Sequence, residues 1–474
     1  MKKVFLLIAF AFISWSAGAQ TQIWGTCSAG GATKNAGTIF TADGNGNNLH
    51  KVYDFDSIYG RYPTGIMTLA NNGNFYGVTE YGGFGDSCVV YKFNPVTGVY
   101  SDIHDLYQFQ NLGYGTVTGM INATNGNLYG LCPDGGANGY GVIYKVDPAT
   151  DIYSDIFDFT STANGQYPNG SLMQATDGNF YATAKGGSNG TGLIFRFNPA
   201  TLTYTKLYDF DSLYKGGSGI GSLFQASNGK LYGTCIYTSG STNLGVIYSF
   251  DIATSTFVDL HDYAFPSGIT FPVLSEVIQA SDGKLYGAID AAFPITNTNS
   301  LFNFDINNNT FNTLFVFTSA SGYHSSGLKE GSSGKLFGTT FNGGIHNAGV
   351  VYTYDIVFST YTKIFDFDGN NSGSNPDCEI TITPELTTGI FSQLNNPSVK
   401  TYPNPATTTV TISISSFTAN RQLIITDVLG REIERVTITN NQSTINVAQW
   451  NNGVYFYQLI DDKETKAGKF VVSH

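Results

Sequence analysis

One phrase returns seven times along this chain: an aromatic residue, usually followed by glycine, at Trp24, Tyr76, Tyr129, Tyr181, Tyr232, Tyr286 and Phe337. The intervals between these anchors are 52, 53, 52, 51, 54 and 51 residues. Such a period implies one supersecondary unit that buries its apolar face only by packing against copies of itself. Each unit reads as four short strands, as in residues 119–123, 128–130, 142–146 and 156–159. Four-stranded antiparallel units of this length predict an all-β chain whose main domain is a seven-bladed β-propeller.

Turn chemistry supports the strand pattern. The pairs Asn72-Gly73, Asn125-Gly126, Asp177-Gly178, Asn228-Gly229 and Asp282-Gly283 suit a two-residue hairpin between the first and second strands. The first unit starts at its second strand, Gln22-Ile23-Trp24-Gly25, whereas Glu379 to Thr383 follows the seventh unit as a lone strand. The expected resolution is closure, the late strand serving as the inner strand of the first blade and removing an exposed edge. With Ile382 at the place of Ala175, Cys378 falls at the place of Ser171 and faces Cys27, which predicts a Cys27–Cys378 disulfide. The alternative is five free thiols, with Cys27, Cys132 and Cys235 filling one small apolar slot of their blades.

Residues 1–19 read as a secretory signal peptide: Lys2 and Lys3, an apolar run from Val4 to Trp15, then Ala17-Gly18-Ala19. No later segment has the ~18 apolar residues of a membrane helix, so none is expected in the mature chain. Residues 20–397 hold 14 Lys and Arg against 29 Asp and Glu, a net of −15, whereas residues 398–474 hold 7 against 6. Concentrated acidity of this kind argues against nucleic acid or an anionic membrane as a partner of the large region.

The units, spanning about residues 21–383, resemble the tandem propeller repeat named for Gloeobacter and Verrucomicrobia. The likeness rests on Asn228-Gly229-Lys230-Leu231-Tyr232-Gly233-Thr234 and Gly245-Val246-Ile247-Tyr248. Glycine pairs at Gly82-Gly83, Gly135-Gly136, Gly186-Gly187 and Gly343-Gly344 are more distantly similar to kelch propellers. The resemblance implies a fold and no activity.

Beyond residue 383 the period stops. Residues 384–398 read as a linker, and residues 399–474 as short alternating strands of a small immunoglobulin-like β-sandwich. Here Tyr402-Pro403-Asn404-Pro405, then Asp427 to Arg431, Gly453-Val454-Tyr455 and Gly468-Lys469 closely resemble the C-terminal sorting domain of the type IX secretion system. That resemblance implies a Sec-dependent first step, recognition of the folded domain by the type IX machinery at the outer membrane, and release or lipopolysaccharide anchoring. The expected destination is the outer-membrane surface or the extracellular space.

No catalytic phrase is present, and Ser332-x-x-Lys335 falls on a hairpin turn. Aspartates recur on the fourth strand (Asp54, Asp105, Asp158, Asp209, Asp262, Asp366) and read as structural, as do His104 and His261. Asp366, Asp368, Asn370, Ser372 and Asp377 have the oxygen spacing of a calcium loop but lack its glycine at position six and its final glutamate, so no cofactor is expected and calcium at this run is the alternative. Ligand binding is expected on the face with long, varied loops. These loops carry Tyr62, Tyr81, Tyr114, Tyr140, Tyr167, Tyr214 and Tyr323, suited to an extracellular glycan or protein. The rival reading is a carbohydrate-active hydrolase or lyase using Glu80, Asp86, Asp134 and Asp290.

Overall fold

A computed structural model describes residues 21–31, 35–56, 58–106, 119–210, 221–239, 242–264, 272–291, 299–331, 334–376, 379–384, 399–403, 405–414, 421–426, 431–438, 440–460 and 465–474. The chain divides into two compact units, Met1–Glu385 and Leu386–His474. The signal segment, residues 1–19, lies outside the described residues.

The first unit is a β-propeller. Among its described residues are seven antiparallel sheets. In the second, strands Arg61–Leu69, Phe75–Tyr81, Cys88–Phe93 and Tyr100–Leu106 pair in chain order from the inside out. The third to seventh sheets repeat that order over residues 121–158, 166–209, 224–264, 272–316 and 323–366. The first sheet differs: Thr21–Cys27, Thr38–Asp43 and His50–Asp54 take their inner strand, Thr381–Pro384, from the far end of the unit.

Stacked rings join each outer strand to the next sheet: Tyr53 on Tyr100, His104 on Tyr153, Phe157 on Tyr204, Tyr208 on Phe257, His261 on Phe311 and Phe315 on Tyr361. Their centroids are 4.0–4.8 Å apart and their planes lie within 9° of parallel. The two histidines therefore serve as aromatic spacers, and burial pushes both imidazoles below their ordinary pKa. The seventh sheet meets the first through a shared core in which Phe337, Val351 and Phe367 touch Ile23, Cys27, Phe40 and Ile380. Main-chain bonds from Ser28 to Asn375 and from Asn375 to Ala348 stitch the same seam.

The repeat phrase has a physical cause at each letter. The anchor tyrosine's hydroxyl bonds the turn residue four positions earlier, as in Asn125–Tyr129 (2.8 Å), Tyr181–Asp177 (2.7 Å) and Asn228–Tyr232 (2.9 Å). The glycine that follows lies under an aromatic ring of the third strand. A Cβ at Gly130 would stand 2.3 Å from Tyr144. The turn itself differs from the two-residue expectation. Gly73 N–H bonds Ala70 O while Ala70 N–H bonds Asn74 O, and only the glycine has positive φ (78°), which is a three-residue loop closed by a bulge.

The repeated aspartate holds the loop between second and third strands. Asp158, Asp209 and Asp366 accept backbone N–H bonds from Ala137 (2.6 Å), Ser188 (2.9 Å) and Ile345 (2.9 Å). The second glycine of each pair makes room for that carboxylate: a Cβ at Gly136 would lie 2.3 Å from Asp158 Oδ1, and one at Gly187 2.5 Å from Asp209 Oδ1. These aspartates are structural.

The closing strand pairs as expected in kind, one residue displaced in register. Ile382 stands opposite Ile23 and Thr381 opposite Trp24. In the fourth sheet the matching positions are Gln174 and Met173. Ile382 thus takes the place of Gln174, not Ala175, and the place of Ser171 belongs to Glu379, not Cys378. The register premise of a Cys27–Cys378 bridge fails with it, because a one-residue slip turns a side chain to the opposite face. Cys27 is fully buried, and Cys378 lies outside the described residues.

The second unit holds a three-stranded sheet (Val399–Tyr402, Thr409–Ile414, Gln442–Asn446) and a four-stranded one (Glu432–Ile438, Arg421–Thr426, Gly453–Ile460, Thr465–Val472). Val410, Ile412 and Ile445 from the first share one core with Leu423, Ile425, Tyr455 and Phe470 from the second.

Candidate functional site

Two regions of the propeller bring chemistry together: the face carrying the variable loops, and the ring of inner strands. On the loop face the inner strand of the second sheet begins at Arg61, opposite Tyr81. The Arg61 guanidinium lies 2.6 Å from the Asp86 carboxylate and over the Tyr81 and Tyr62 rings, 4.9 and 5.4 Å from their centroids. Tyr62 meets Tyr81 edge to face at 6.0 Å. The neighbouring loop is stiffened where Asp56 Oδ1 accepts from Ile58 N–H (2.8 Å) and Tyr59 N–H (2.9 Å). It presents Tyr59 at 55% exposure, and the adjoining loop presents Phe84 at 72%.

Tyr62, Tyr167 and His324 occupy one structural position, the start of an inner strand, and all three have left-handed backbone (φ 53°, 49° and 58°). Non-glycine residues in that region are held there by their surroundings. Here the holding bonds run to the preceding sheet, Tyr62 N–H to Ala36 O and Tyr167 N–H to Tyr140 O, each 2.8 Å.

Of the seven expected aromatic contacts, Tyr62 and Tyr81 form one pair and Tyr140 and Tyr167 another, with centroids 6.3 Å apart. Tyr323 donates to Asn347 (3.2 Å) beside His324. All five are half-buried, so they share their area between inter-sheet packing and the surface. Tyr114 and Tyr214 lie outside the described residues. Phe84 was missed, its only signal being an apolar letter between glycines and aspartate.

The four acids of the rival reading are divided. Asp86 is paired with Arg61, and Asp290 with His324 Nδ1 at 2.6 Å. Glu80 and Asp134 both act on the buried Cys88 thiol from neighbouring sheets. Burial raises both carboxyls, Lys185 opposing the effect at Asp134.

Of the expected calcium donors, Asp366, Asp368 and Ser372 are otherwise engaged. Asp366 pairs with Lys363 at 2.8 Å and accepts from Ile345, while Asp368 accepts from Asn371 N–H (2.9 Å), Ser372 N–H (2.8 Å) and Ser372 Oγ (2.8 Å). That closed turn, though opposed by burial, holds the Asp368 carboxyl down at about 2. Asp377 lies outside the described residues, among which no three His, Cys, Asp or Glu side chains converge for a metal. Melting of the whole chain is therefore expected at one temperature with millimolar calcium or with chelator; a rise of several degrees with calcium would contradict this reading.

The inner strands supply a feature that sequence reading missed. One position, four residues before each inner hairpin or its equivalent, is Ile66, Gly119, Ser171, Ser222, Glu276, Gly327 and Glu379 around the ring. The next residue is always a buried apolar one, from Met67 to Ile380. Ser171 N–H donates to Ser222 Oγ (2.7 Å), Ser222 Oγ donates to the Glu276 carboxyl, and the Glu276 and Glu379 carboxyls hydrogen-bond each other.

Residues 101–290 match the Gloeobacter/Verrucomicrobia repeat, and residues 400–473 match the secretion system C-terminal sorting domain. No curated protein matches the chain. Among solved structures, a protein from Lactobacillus plantarum is 12% identical, covering 77% of this chain and 99% of its own, with a TM-score of 0.53. A putative 6-phosphogluconolactonase from Bacteroides fragilis is 13% identical, covering 78% and 99%, with a TM-score of 0.52. Both show the fold alone. PorZ, an essential surface component of the type IX secretion system of Porphyromonas gingivalis, is 17% identical over 93% of this chain and 56% of its own, with a TM-score of 0.44. The chain thus spans little more than half the length of that protein. The sorting domain marks the chain for export to the cell surface or extracellular space. No helix among the described residues is long and apolar enough to cross a membrane.

Proposed function

We propose that this chain, which joins a Gloeobacter/Verrucomicrobia repeat propeller to a secretion system C-terminal sorting domain, is a displayed binding protein whose seven-bladed ring takes a glycan on its loop-rich face. The observation that carries the reading is the second blade's rim, where exposed Tyr59 and Phe84 flank the fixed Arg61–Asp86 pair. Aromatic faces stack on the C–H faces of sugars while a charged pair already held in place bonds ring hydroxyls without further ordering. Type IX machinery is the partner of the C-terminal domain in the same reading.

The test is a glycan array probed with the whole secreted chain, followed by titration of the best hit. Replacing Tyr59 and Phe84 together by alanine should weaken binding about tenfold or more, roughly 1.4 kcal/mol, with an unchanged melting temperature because both rings are exposed. Capture of a protein in place of any glycan, or full affinity in the double variant, would overturn the assignment.

Glu80 and Asp134 favour a second reading, a hydrolase or lyase, because two carboxyls raised by burial on adjoining blades suit acid–base work. Release of sugar ends from polysaccharide by the native chain, abolished in Glu80→Gln, would establish it. A native chain without such release excludes it.

A further inference from the structure

The ring of inner strands is closed by a segment that no hairpin tethers, yet it carries a carboxyl that reaches past the seventh sheet to a carboxyl on the sixth. Gly327 is what permits this reach. A Cβ there would stand 2.2 Å from Glu379 Cγ and 2.4 Å from its Oε1, so the seventh sheet yields its place in the ring to the glutamate side chain. Two carboxylates cannot both be ionised while sharing a hydrogen bond, since neither would then have a hydrogen to donate. One proton must therefore sit between Glu276 and Glu379 in the closed ring.

We infer that the Glu276–Glu379 pair is a proton-operated latch, holding the closing strand Thr381–Pro384 to the sixth sheet, across the seventh, while the shared proton is present and releasing it when that proton leaves. The groups around the pair agree. From the fifth sheet Ser222 donates its hydroxyl to Glu276, from the seventh Lys329 is the nearby cation, and the fourth sheet contributes only the Ser171 N–H. Asp290 and His324, the next titratable groups along the sixth and seventh sheets, are bound to each other. Burial pushes the Glu379 carboxyl up to about 8, with the Glu276 charge adding to the rise and Lys329 opposing it; burial raises Glu276 as well.

The direction of the pH effect follows. The folded chain keeps this proton at pH values where the unfolded chain, with ordinary glutamates, has lost it. The latch's contribution to stability is thus complete below the ordinary carboxylate range and declines as pH rises toward and through about 8. Closure should be firmest in mildly acidic surroundings.

The experiment compares the whole native chain with Glu379→Gln, whose amide donates the same hydrogen bond and does not titrate. Between pH 5.5 and pH 9 the native melting temperature is expected to fall about 4 °C further than that of the variant. Hydrogen exchange, corrected for the intrinsic pH dependence, should show protection of Thr21–Cys27 and Thr381–Pro384 lost at pH 9 in the native chain and kept in the variant. Glu276→Gln serves as the second variant should the first fold poorly. Parallel pH profiles in native and variant chains, with equal protection of the closing strand, would overturn the latch.

Discussion

Ile380→Ala is expected to loosen the propeller at its seam, where the same truncation elsewhere in the ring only weakens one sheet. Ile380 is fully buried against Ile23, Phe40, Phe337 and Val351. Removing three carbons from such a site costs about 2–5 kcal/mol, through lost transfer energy and a residual cavity. Leu172 occupies the same repeat position in the fourth sheet at 2% exposure, so Leu172→Ala should cost a similar amount. The consequences diverge because of connectivity. The strand after Leu172 turns back at once through Asp177-Gly178, whereas Thr381–Pro384 is held to its sheet by four paired positions, from Thr21–Pro384 to Trp24–Thr381. A glutamate-specific protease should cut Ile380→Ala at Glu379 at least tenfold faster than the native chain, and Leu172→Ala at the native rate. Equal rates in the two variants would mean that the seam is no weaker than any other junction.

The same comparison marks what could be read before the structure. The anchor period was legible because a buried ring, its capping turn residue and the glycine beneath the neighbouring ring must keep fixed spacing in every sheet, as Asn125, Tyr129 and Gly130 do. The role of the strand-four aspartates was legible in outline, since a group repeated in so many sheets serves each sheet. Its partner was not, because Asp158 and Gly136 meet only after the chain has returned across two strands. Register was the weakest point. The closing strand lies outside the period, so nothing local distinguishes Cys378 from Glu379 at the ring position, and the glutamate pair arises only once Ile382 is set opposite Ile23. The aromatic face was half legible. Tyr62 pairs with Tyr81 and Tyr140 with Tyr167, but whether a ring packs or protrudes depends on the backbone beneath it, as the half-buried Tyr62 and the exposed Phe84 show.

The largest functional loss is expected from the smallest domain. Tyr455 of the sorting phrases lies inside the second unit's core with Phe470, which follows Gly468-Lys469; the two rings stack at 5.9 Å and Trp450 packs on Tyr455 at 4.8 Å. Tyr402, by contrast, is 45% exposed and joined to Pro403 by a cis bond, and Asn404 lies outside the described residues. Part of the phrase is therefore packing and part is surface, as it should be if a folded shape is recognised. A unit of this size has only a few kcal/mol of stability in hand. Phe470→Ala, costing about 3–5 kcal/mol, should leave it largely unfolded. The surface-exposed fraction of the full chain, read by protease shaving of intact cells, should drop at least tenfold. The same chain extracted from the cells should keep the glycan binding proposed for the propeller, since the propeller is a separate compact unit. Surface display at the native level in Phe470→Ala would show that the machinery reads a linear phrase, and the folded core would then be incidental to export.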